Sequence, residues 1–412
     1  MLSTAVFHDP LPLTNAVQRY DWGARDAIPH LLGIEPDGGP YAELWLGAHA
    51  SNPSVTTAHD VEIPLDALLR EVPVQMLGHR VAEQFGPHLP FLLKVLAADR
   101  ALSLQVHPSA RQAREGFARE SKTGLAADSP QRSFRDDQHK PEMLVALTQF
   151  EGLAGFRSPR TILEILDGLK GDLVEAVRST LQRDRSHEGM RSAFDVLVSA
   201  RGDSGCAADI ATTLDAVRER LADGSPYARA DQAVVDLSDQ HPGDPGAIAS
   251  LMLNRVSLEP GDALFVPSGE VHAYLSGLGI EIMASSDNVL RAGLTTKRVD
   301  ENNLAAIASF APRRPATPEI TTAGSRGQVS TYRVPVTEFA LTMADVDPSE
   351  PVALAPTGPR VVLCLDGHVE LAADRSDVGP VTLSRGGSVF VPHDAGSLAV
   401  AGSGHVVCAW VP

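Results

Sequence analysis

The sequence has few cysteines, a deficit of basic residues, and no long apolar run. Its three cysteines, Cys206, Cys364 and Cys408, lie too far apart for a disulfide framework or a CxxC zinc site. The 35 Lys and Arg against 52 Asp and Glu give a net charge of −17, which excludes nonspecific nucleic-acid binding. No window reaches the ~18 apolar residues of a membrane span, and the first residues carry no basic targeting segment. We therefore expect reduced thiols in a cytoplasmic protein with no nucleic-acid or membrane partner.

Glycine and proline are plentiful, with 34 and 30 copies spread along the 412 residues. Such spacing favours many turns and many short strands over a helical bundle. The chain is 43% hydrophobic and 21% charged, which is ordinary for a folded globular protein. At roughly 100–200 residues per domain, the length predicts two to four domains.

A helical segment interrupts two strand-rich regions. From residue 158 to residue 230, apolar side chains recur at helical spacing, as in residues 162–169. Ser158 and Pro159 supply a capping residue and a proline for the first turn. We therefore predict an insertion of three to five helices over residues 158–230.

Two distant segments share a weak repeat, which predicts two copies of one β-barrel unit. Residues 258–274 and 383–399 both place a proline six residues after a glycine in a strand–turn–strand pattern. In the first copy His272 follows the proline by five residues, whereas Ser397 holds that place in the second. Only the first barrel therefore keeps a candidate metal ligand.

Three segments carry side chains that suit a metal ion. Residues 261–272 match the second motif of the cupin superfamily, in which a turn ends one strand and a histidine opens the next, facing the barrel interior. Residues 105–107 place a glutamine and a histidine on one face of a strand, and residues 139–142 add a glutamate. Each segment alone is compatible with ordinary packing, but together they form a zinc-compatible set. Its members are Gln105, His107, Glu142 and His272.

The chain resembles the type I mannose-6-phosphate isomerases. The matching segments follow the family order and are separated by the helical segment, where the family also carries one. They are YDWG (20–23), AELWLGAH (42–49), LPFLLKVLAADRALSLQVHPS (89–109), DQHKPEM (137–143), EGLAGFR (151–157) and VPSGEVHAYLSGLGIEIMASSDNVLRAGLTTK (266–297).

The resemblance and the repeat together predict a mainly β fold with an α-helical insertion, built from two cupin-type jelly-roll β-barrels plus a helical domain. Residues 1–157 and 231–312 are expected to form a discontinuous catalytic barrel. Residues 158–230 are expected to form the helical domain, and residues 313–412 a second barrel without a metal site.

The resemblance implies a zinc-dependent aldose–ketose isomerase that interconverts D-mannose 6-phosphate and D-fructose 6-phosphate. Protons would move between C1 and C2 through an enediol(ate). The family's ligands for one Zn²⁺ per chain fall on the four residues named above. Active-site roles fall on Lys140 and Arg291, and the residues expected in the pocket are Lys94, Ser103, Glu281, Asp287 and Lys297.

The residues themselves leave the proton-transfer group open. A base must lie within hydrogen-bond reach of the reacting carbon. Lys140 and His139 adjoin the candidate ligand Glu142, although alternate residues of an extended segment face opposite sides. Glu281 and Asp287 are carboxylate alternatives.

The acidic net charge requires a local island of cations to hold a phosphate. Lys94, Arg291, Lys297 and Arg298 can supply it, and the Ser103 hydroxyl can add a hydrogen bond. Two further side chains are expected to bind the substrate or order its surroundings, namely Trp22 as a wall and Glu43 as an orienting group.

Two alternatives stay open at this point. One is another metal-dependent cupin enzyme acting on a sugar phosphate, or an oxygenase, and the other is a non-enzymatic bicupin that binds a sugar. Oxygenases usually hold iron through two histidines and one carboxylate, so the glutamine and the adjacent lysine argue against them. We expect a monomer whose partner is a small sugar phosphate.

Overall fold

The computed structural model describes residues 7–58, 61–126, 129–355 and 357–412. Its strands are β1 Leu11–Pro12, β2 Ala16–Gln18, β3 Glu43–Gly47, β4 Val55–Ala58, β5 Val61–Pro64, β6 Phe91–Ala98, β7 Leu104–Val106, β8 Glu142–Ala146, β9 Phe150–Phe156, β10 Leu253–Leu258, β11 Ala263–Val266, β12 His272–Ala284, β13 Leu290–Gly293, β14 Glu319–Ala323, β15 Val329–Arg333, β16 Ala340–Val346, β17 Val352–Ala353, β18 Arg360–Ala373, β19 Val381–Ser384, β20 Ser388–Val391 and β21 Leu398–Trp410. Its α-helices are α1 Ala27–Leu32, α2 Leu65–Glu71, α3 Pro73–Leu77, α4 His79–Phe85, α5 Ala110–Ser121, α6 Pro159–Leu166, α7 Asp172–Arg183, α8 His187–Ser199, α9 Cys206–Ala222, α10 Ala228–Gln240, α11 Gly246–Ala249 and α12 Glu301–Ile307.

The N-terminal sheet has ten strands in two layers that share the long strand β12. One layer has the order β10-β9-β12-β7-β13, and the other has the order β11-β8-β12-β6-β3-β2. Residues 272–276 of β12 belong to the first layer and residues 277–284 to the second. The change occurs at Gly277, whose φ is +123° and where a Cβ would lie 2.7 Å from the Gln149 carbonyl oxygen. Only glycine fits this switch between layers.

The interior between the two layers is apolar except where polar side chains enter it. Leu96, Leu144, Phe150, Leu264 and Tyr274 belong to one buried cluster that draws on strands of both layers. Successive side chains of a strand face opposite sides, so residues 94 and 96 share one face, as do residues 142 and 144. The same alternation places the polar residues of these strands inside the sheet pair.

Helices cover the outer face of the first layer. The predicted capped helix at Ser158 and Pro159 is confirmed, because Ser158 accepts a hydrogen bond from the Thr161 amide at 3.1 Å and Pro159 opens α6. Helices α6 to α11 pack on Leu104, Val106 and other outward side chains of β7, β9 and β13. The boundary predicted at residue 230 falls inside α10, so helical structure continues to Ala249.

The C-terminal sheet has nine strands, in the order β1-β20-β18-β21-β16-β15-β14, with β17 beside β21 and β19 beside β18. Its first strand comes from the N-terminus, where Leu11 is paired with Phe390. One apolar cluster joins this sheet to the outer face of the second layer, with Leu93, Met143 and Ile282 on one side and Leu363 and Phe390 on the other. The two strand-rich halves therefore share a core.

The predicted fold class, mainly β with an α-helical insertion, is confirmed. The three cysteines are free and buried. Among the helices within the described ranges, none combines the length and hydropathy that a membrane crossing needs. The limits of the three domains stay a prediction.

Candidate active site

His107, Glu142 and His272 meet in the interior between the two layers. His107 Nε2 lies 3.2 Å from Glu142 Oε1, and His272 Nε2 lies 3.3 Å from Glu142 Oε2. The imidazole centroids are 5.0 Å apart, and all three side chains are buried. His272 is the first residue of β12, Glu142 the first of β8, and His107 follows β7 directly. Strand ends thus bring three distant segments to one point.

The outer nitrogen of each imidazole fixes its orientation. His107 Nδ1 lies 2.7 Å from the Asn288 carbonyl oxygen, and His272 Nδ1 lies 3.0 Å from that of Glu270. Because a carbonyl only accepts, both Nδ1 atoms carry the proton, and both Nε2 lone pairs face the shared space.

A divalent cation fits this arrangement. Three buried atoms facing the shared space, His107 Nε2, His272 Nε2 and Glu142 Oε2, have no hydrogen-bond partner in the structure. Buried polar atoms without partners are costly, and two imidazoles with a carboxylate are a zinc-type donor set. No other cluster of three such His, Cys, Asp or Glu side chains occurs in the part of the chain that the structure describes.

Gln105 lies beside these three residues. It is the cross-strand neighbour of both His272 and Arg291 and lines the cavity described below. Opposite residues of antiparallel strands place their side chains on the same face. The Gln105 amide therefore enters the same interior as the imidazoles.

The protonation states of the cluster suit a metal. Burial and the nearby Lys140 ammonium lower the pKa of His107 to about 4, although Glu142 opposes this. Burial alone would raise the pKa of Glu142, but Lys140 and His107 hold it well below its ordinary value. Metal binding requires neutral imidazole and ionised carboxylate, and His107 and Glu142 hold these forms at neutral pH.

A cavity of about 930 Å³ opens from this cluster toward the surface. Its walls come from strands of both layers and from the loops before β8 and after β13. Twelve of the fifteen predicted site residues line it, and His107 and His272 are buried at its floor. The twelve are Trp22, Glu43, Lys94, Ser103, Gln105, Lys140, Glu142, Glu281, Asp287, Arg291, Lys297 and Arg298.

Lys94 is already paired on the cavity wall. Its Nζ lies 3.0 Å from Glu281 Oε2 and 3.4 Å from Glu43 Oε1. Burial opposes the charge of Lys94, but the two carboxylates outweigh it and raise its pKa above the ordinary value. Burial also raises the pKa of Glu281. The charge of Lys94 is thus balanced by these two carboxylates and is not available to bind an anion.

The spare cations lie elsewhere in the cavity. Burial, then Arg135, lowers the pKa of Arg291, and burial, then Arg291 and Arg135, lowers the pKa of Lys297. Arg298 instead donates to the Gln131 carbonyl and lies 3.3 Å from Asp300 Oδ2. Sequence reasoning missed Arg135, whose only signal was its place five residues before Lys140. These three like charges form a cationic end that favours an anion, although the Asp21 carboxylate also acts on Lys297 and opposes the lowering of its pKa.

The structure does not bring His139 to the cavity, which corrects its candidacy as a base. Its Nε2 lies 2.7 Å from Glu338 Oε1, on the C-terminal half. The neighbouring Lys140 faces inward instead, with Nζ 3.1 Å from Glu142 Oε1. Alternation along the extended segment separates the two side chains.

Asp287 stands at the exposed rim of the cavity. Its Oδ1 lies 3.5 Å from His49 Nε2, and its amide donates to Asp136 at 2.7 Å. Burial lowers the pKa of His49, so this imidazole favours its neutral form.

Sequence reasoning also missed Asn288, a fully buried residue that joins two loops of the site. Its side-chain amide donates to the carbonyls of Asp136 and Gln138 at 2.9 and 2.7 Å, and its Oδ1 accepts from the Arg135 amide at 2.7 Å. Its own carbonyl accepts from His107. Asn288 therefore ties a metal-site imidazole to the segment that leads to Lys140.

Residues 11–159 match the phosphomannose isomerase type I catalytic domain. The chain is 35% identical over 396 residues to the mannose-6-phosphate isomerase of Salmonella typhimurium, covering 96% of this chain and 97% of that protein. It is 34% identical over 398 residues to the Escherichia coli enzyme, again covering 96% and 97%. The mannose-6-phosphate isomerase 1 of Arabidopsis thaliana is 33% identical, with 92% of this chain and 88% of that one covered.

Solved structures agree over the whole chain. A mutant phosphomannose isomerase from Salmonella typhimurium matches with a TM-score of 0.87 at 31% identity, covering 98% of this chain and 99% of that one. A zinc-bound mannose 6-phosphate isomerase matches with a TM-score of 0.85 at 32% identity and the same coverage. On this sequence identity and shared fold, the chain belongs to the type I mannose-6-phosphate isomerase family.

Proposed function

We propose that this protein interconverts D-mannose 6-phosphate and D-fructose 6-phosphate with one bound Zn²⁺ per chain. One observation carries the proposal. Three buried atoms without partners, on His107, Glu142 and His272, face one point at the floor of a cavity whose other end is cationic. A sugar phosphate has the matching pair of features, with polar oxygens at C1 and C2 and a dianion at C6.

The metal would be held by His107, Glu142 and His272, with the Gln105 amide oxygen as a fourth ligand. When bound, zinc supplies Lewis-acid stabilisation of negative charge on substrate oxygen, worth several kcal/mol. Asn288 and Glu270 hold the two imidazoles in the correct tautomer through their carbonyl oxygens. Glu142 also accepts from Lys140, which keeps that ammonium beside the candidate metal ligands.

Arg291, Lys297 and Arg135 would bind the phosphate. They supply three positive charges in a protein whose net charge is −17, and Ser103 lines the same cavity. Charge-assisted hydrogen bonds from guanidinium groups to phosphate are strong and directional. Trp22 and Glu43 would bound the sugar between the two ends.

Lys140 is our candidate for the proton transfer between C2 and C1. Lys140 is an ammonium beside Glu142 in this structure, so it would first release a proton to solvent. The neutral amine would then take the C2 proton as the enediolate forms and return it to C1. It is the inward-facing member of the 139–142 segment and lies next to a metal-site carboxylate. Glu281 is engaged by Lys94, and Asp287 stands at the rim, so both lie in positions better suited to orienting hydroxyls.

A coupled assay with mannose 6-phosphate tests the function. Turnover should disappear after chelation and return with stoichiometric zinc, and metal analysis should give one zinc per chain. Unphosphorylated mannose should be a poor substrate because it leaves the cationic end empty. Binding of the sugar phosphate without turnover would favour the non-enzymatic bicupin, and turnover of a different sugar phosphate would favour another cupin isomerase.

Variants separate the candidate bases. Lys140→Ala should lower kcat by about 100-fold or more, the usual range for a lost proton-transfer group, and should abolish exchange of the C2 proton with solvent deuterium. Glu281→Gln and Asp287→Asn should retain exchange. His139→Gln should stay within a few-fold of the wild type. An active Lys140→Ala enzyme would contradict this assignment while leaving the substrate assignment intact.

A further inference from the structure

The cationic end of the cavity is held from outside by the turn between α10 and α11. Asp244 lies in this turn and does not line the cavity. Its Oδ2 accepts from the Thr295 amide at 3.2 Å, and its Oδ1 accepts from the Gly246 amide at 2.8 Å. Arg201, just past the end of α8, lies 3.6 Å from Asp244 Oδ2 and donates to the Thr295 carbonyl. Residues of the helical insertion therefore form hydrogen bonds with both the amide and the carbonyl of Thr295.

The residue before Thr295 is strained. Leu294 has φ +54°, and no other non-glycine residue in the described ranges has a positive φ. The left-handed region is unfavourable for a leucine, and it persists only where the surroundings fix it. Here they do, because Leu294 is 1% exposed and packs into the core beneath the helices.

The helical insertion approaches this strained turn closely. A Cβ built on Gly246 would lie 2.9 Å from the Leu294 nitrogen, and one built on Gly293 would lie 3.0 Å from the Gly246 Cα. Both positions therefore require glycine for the backbones to meet. Because backbone atoms meet directly, a displacement of the α10–α11 turn would displace the backbone of Leu294 as well.

The strained turn presents its next three residues to the cavity. Thr295, Thr296 and Lys297 line it, together with Arg291. The Lys297 amide donates to the Thr295 hydroxyl at 3.1 Å, so the position of Thr295 sets that of Lys297. A shift of Thr295 would move a cation away from the other two.

We propose that Asp244 is a positioning residue for phosphate binding, acting through Leu294 and Thr295 to aim Lys297 at the substrate. The proposal rests on the proposed function and extends it to the helical insertion. It makes that insertion part of the substrate site and not only a cover for the outer face of the sheet. The strained backbone of Leu294 is part of the conformation that turns Lys297 toward the cavity.

Asp209 provides a matched control for Asp244. It too lies in the helical insertion and accepts backbone amide hydrogen bonds with both carboxylate oxygens, from Asp172 and from Leu173. It does not line the cavity. Asp209→Ala should therefore lower stability as Asp244→Ala does, without touching the cationic end.

The test compares Asp244→Ala, Asp244→Asn, Gly246→Ala and Asp209→Ala as zinc-loaded enzymes. We expect Asp244→Ala and Gly246→Ala to raise KM for mannose 6-phosphate about tenfold, with kcat within twofold and zinc content unchanged. Asp244→Asn, which keeps one oxygen acceptor, should lie between them and the wild type. Inorganic phosphate, measured as a competitive inhibitor and by calorimetry, should bind Asp244→Ala about tenfold more weakly.

Two results would overturn the inference alone. One is unchanged KM and phosphate affinity in Asp244→Ala, and the other is an equal rise of KM in Asp209→Ala, which would reflect general destabilisation. If the wild type neither binds phosphate nor isomerises mannose 6-phosphate, the proposed function fails and this inference fails with it.

Discussion

Individual side chains at the metal site depend on partners one step further out. His107 and His272 each donate a hydrogen bond from Nδ1 to a backbone carbonyl, and this leaves Nε2 available to bind a cation. The carbonyl that holds His107 belongs to Asn288, whose side chain also secures residues 135–138. Such partners tune metal affinity although they never touch the metal.

Replacing Asn288 should weaken zinc binding. In Asn288→Ala the two loops lose their shared amide, so His107 is less firmly oriented. We expect zinc affinity to fall about 10- to 100-fold in competition with a chromophoric chelator. Asn15→Ala is the control, because Asn15 forms side-chain hydrogen bonds with Ser388 and Ser54 and lies away from the metal site. Equal zinc affinity in Asn288→Ala and the wild type would contradict this role.

The metal-free protein should be sensitive to acid through His107. Its pKa is lowered to about 4 in the fold, mainly by burial, so the unfolded chain binds its proton more readily than the folded one. The stability that the neutral imidazole contributes is complete above about pH 6.5 and is lost as pH falls toward 4, by roughly 2–3 kcal/mol. Urea denaturation of chelated wild type and His107→Gln at pH 7 and 4.5 should show their difference in unfolding free energy shrinking. A constant difference would refute this.

At the scale of elements, strand ends and loop turns place the chemistry. Period-two alternation sends Lys94, Glu142 and Glu281 into the interior while their neighbours pack outward. Alternation also sends His139 away from Lys140. Helices α6 to α11 bury the outer face of one layer and hold the Leu294 turn, so they serve both stability and the cavity.

Ser158 should contribute to stability but not to catalysis. It caps α6 through the Thr161 amide. Ser158→Ala should lower the free energy of unfolding by about 1 kcal/mol, and Ser158→Asp should retain most of the stability. Urea denaturation gives the stability and the coupled assay gives kcat/KM, which should be unchanged. A loss of kcat/KM would contradict this and would show that the first turn of α6 influences the geometry of the cavity.

At the scale of the whole molecule, the two strand-rich halves are not independent. They share one apolar cluster, and β1 of the N-terminal part completes the C-terminal sheet. The C-terminal half covers the sheet that carries Lys94 and Glu142. The metal-binding cluster found among the described residues lies in the N-terminal half.

Truncation after residue 312 should therefore abolish soluble folding. It would expose outward side chains of β6, β8 and β12, such as Val95, Val145 and Ile280, which are fully buried in the intact chain. An exposed apolar face of this kind drives aggregation. We expect the truncated chain to bind a hydrophobic dye and to elute as aggregates in gel filtration. A monomeric, zinc-binding fragment would contradict this view of the shared core.

The sequence by itself determined the fold class, the capped helix that begins after Ser158 and the family. Local rules were enough for these, because alternation, helical spacing and capping are read within a few residues of the chain. They also placed Gln105 and His107 on one face and predicted that His139 and Lys140 diverge. The family motifs further marked residues from three segments as one candidate site.

Only the tertiary structure decided which charges meet. Lys94 proved to be paired with Glu281 and Glu43, whereas Arg135 joined Arg291 and Lys297 at the cationic end. Asn288 and Asp244 act through loops that are distant in the chain, and no local pattern encodes such contacts. Pairing energies depend on distance and burial, and both are fixed only when separate segments pack together.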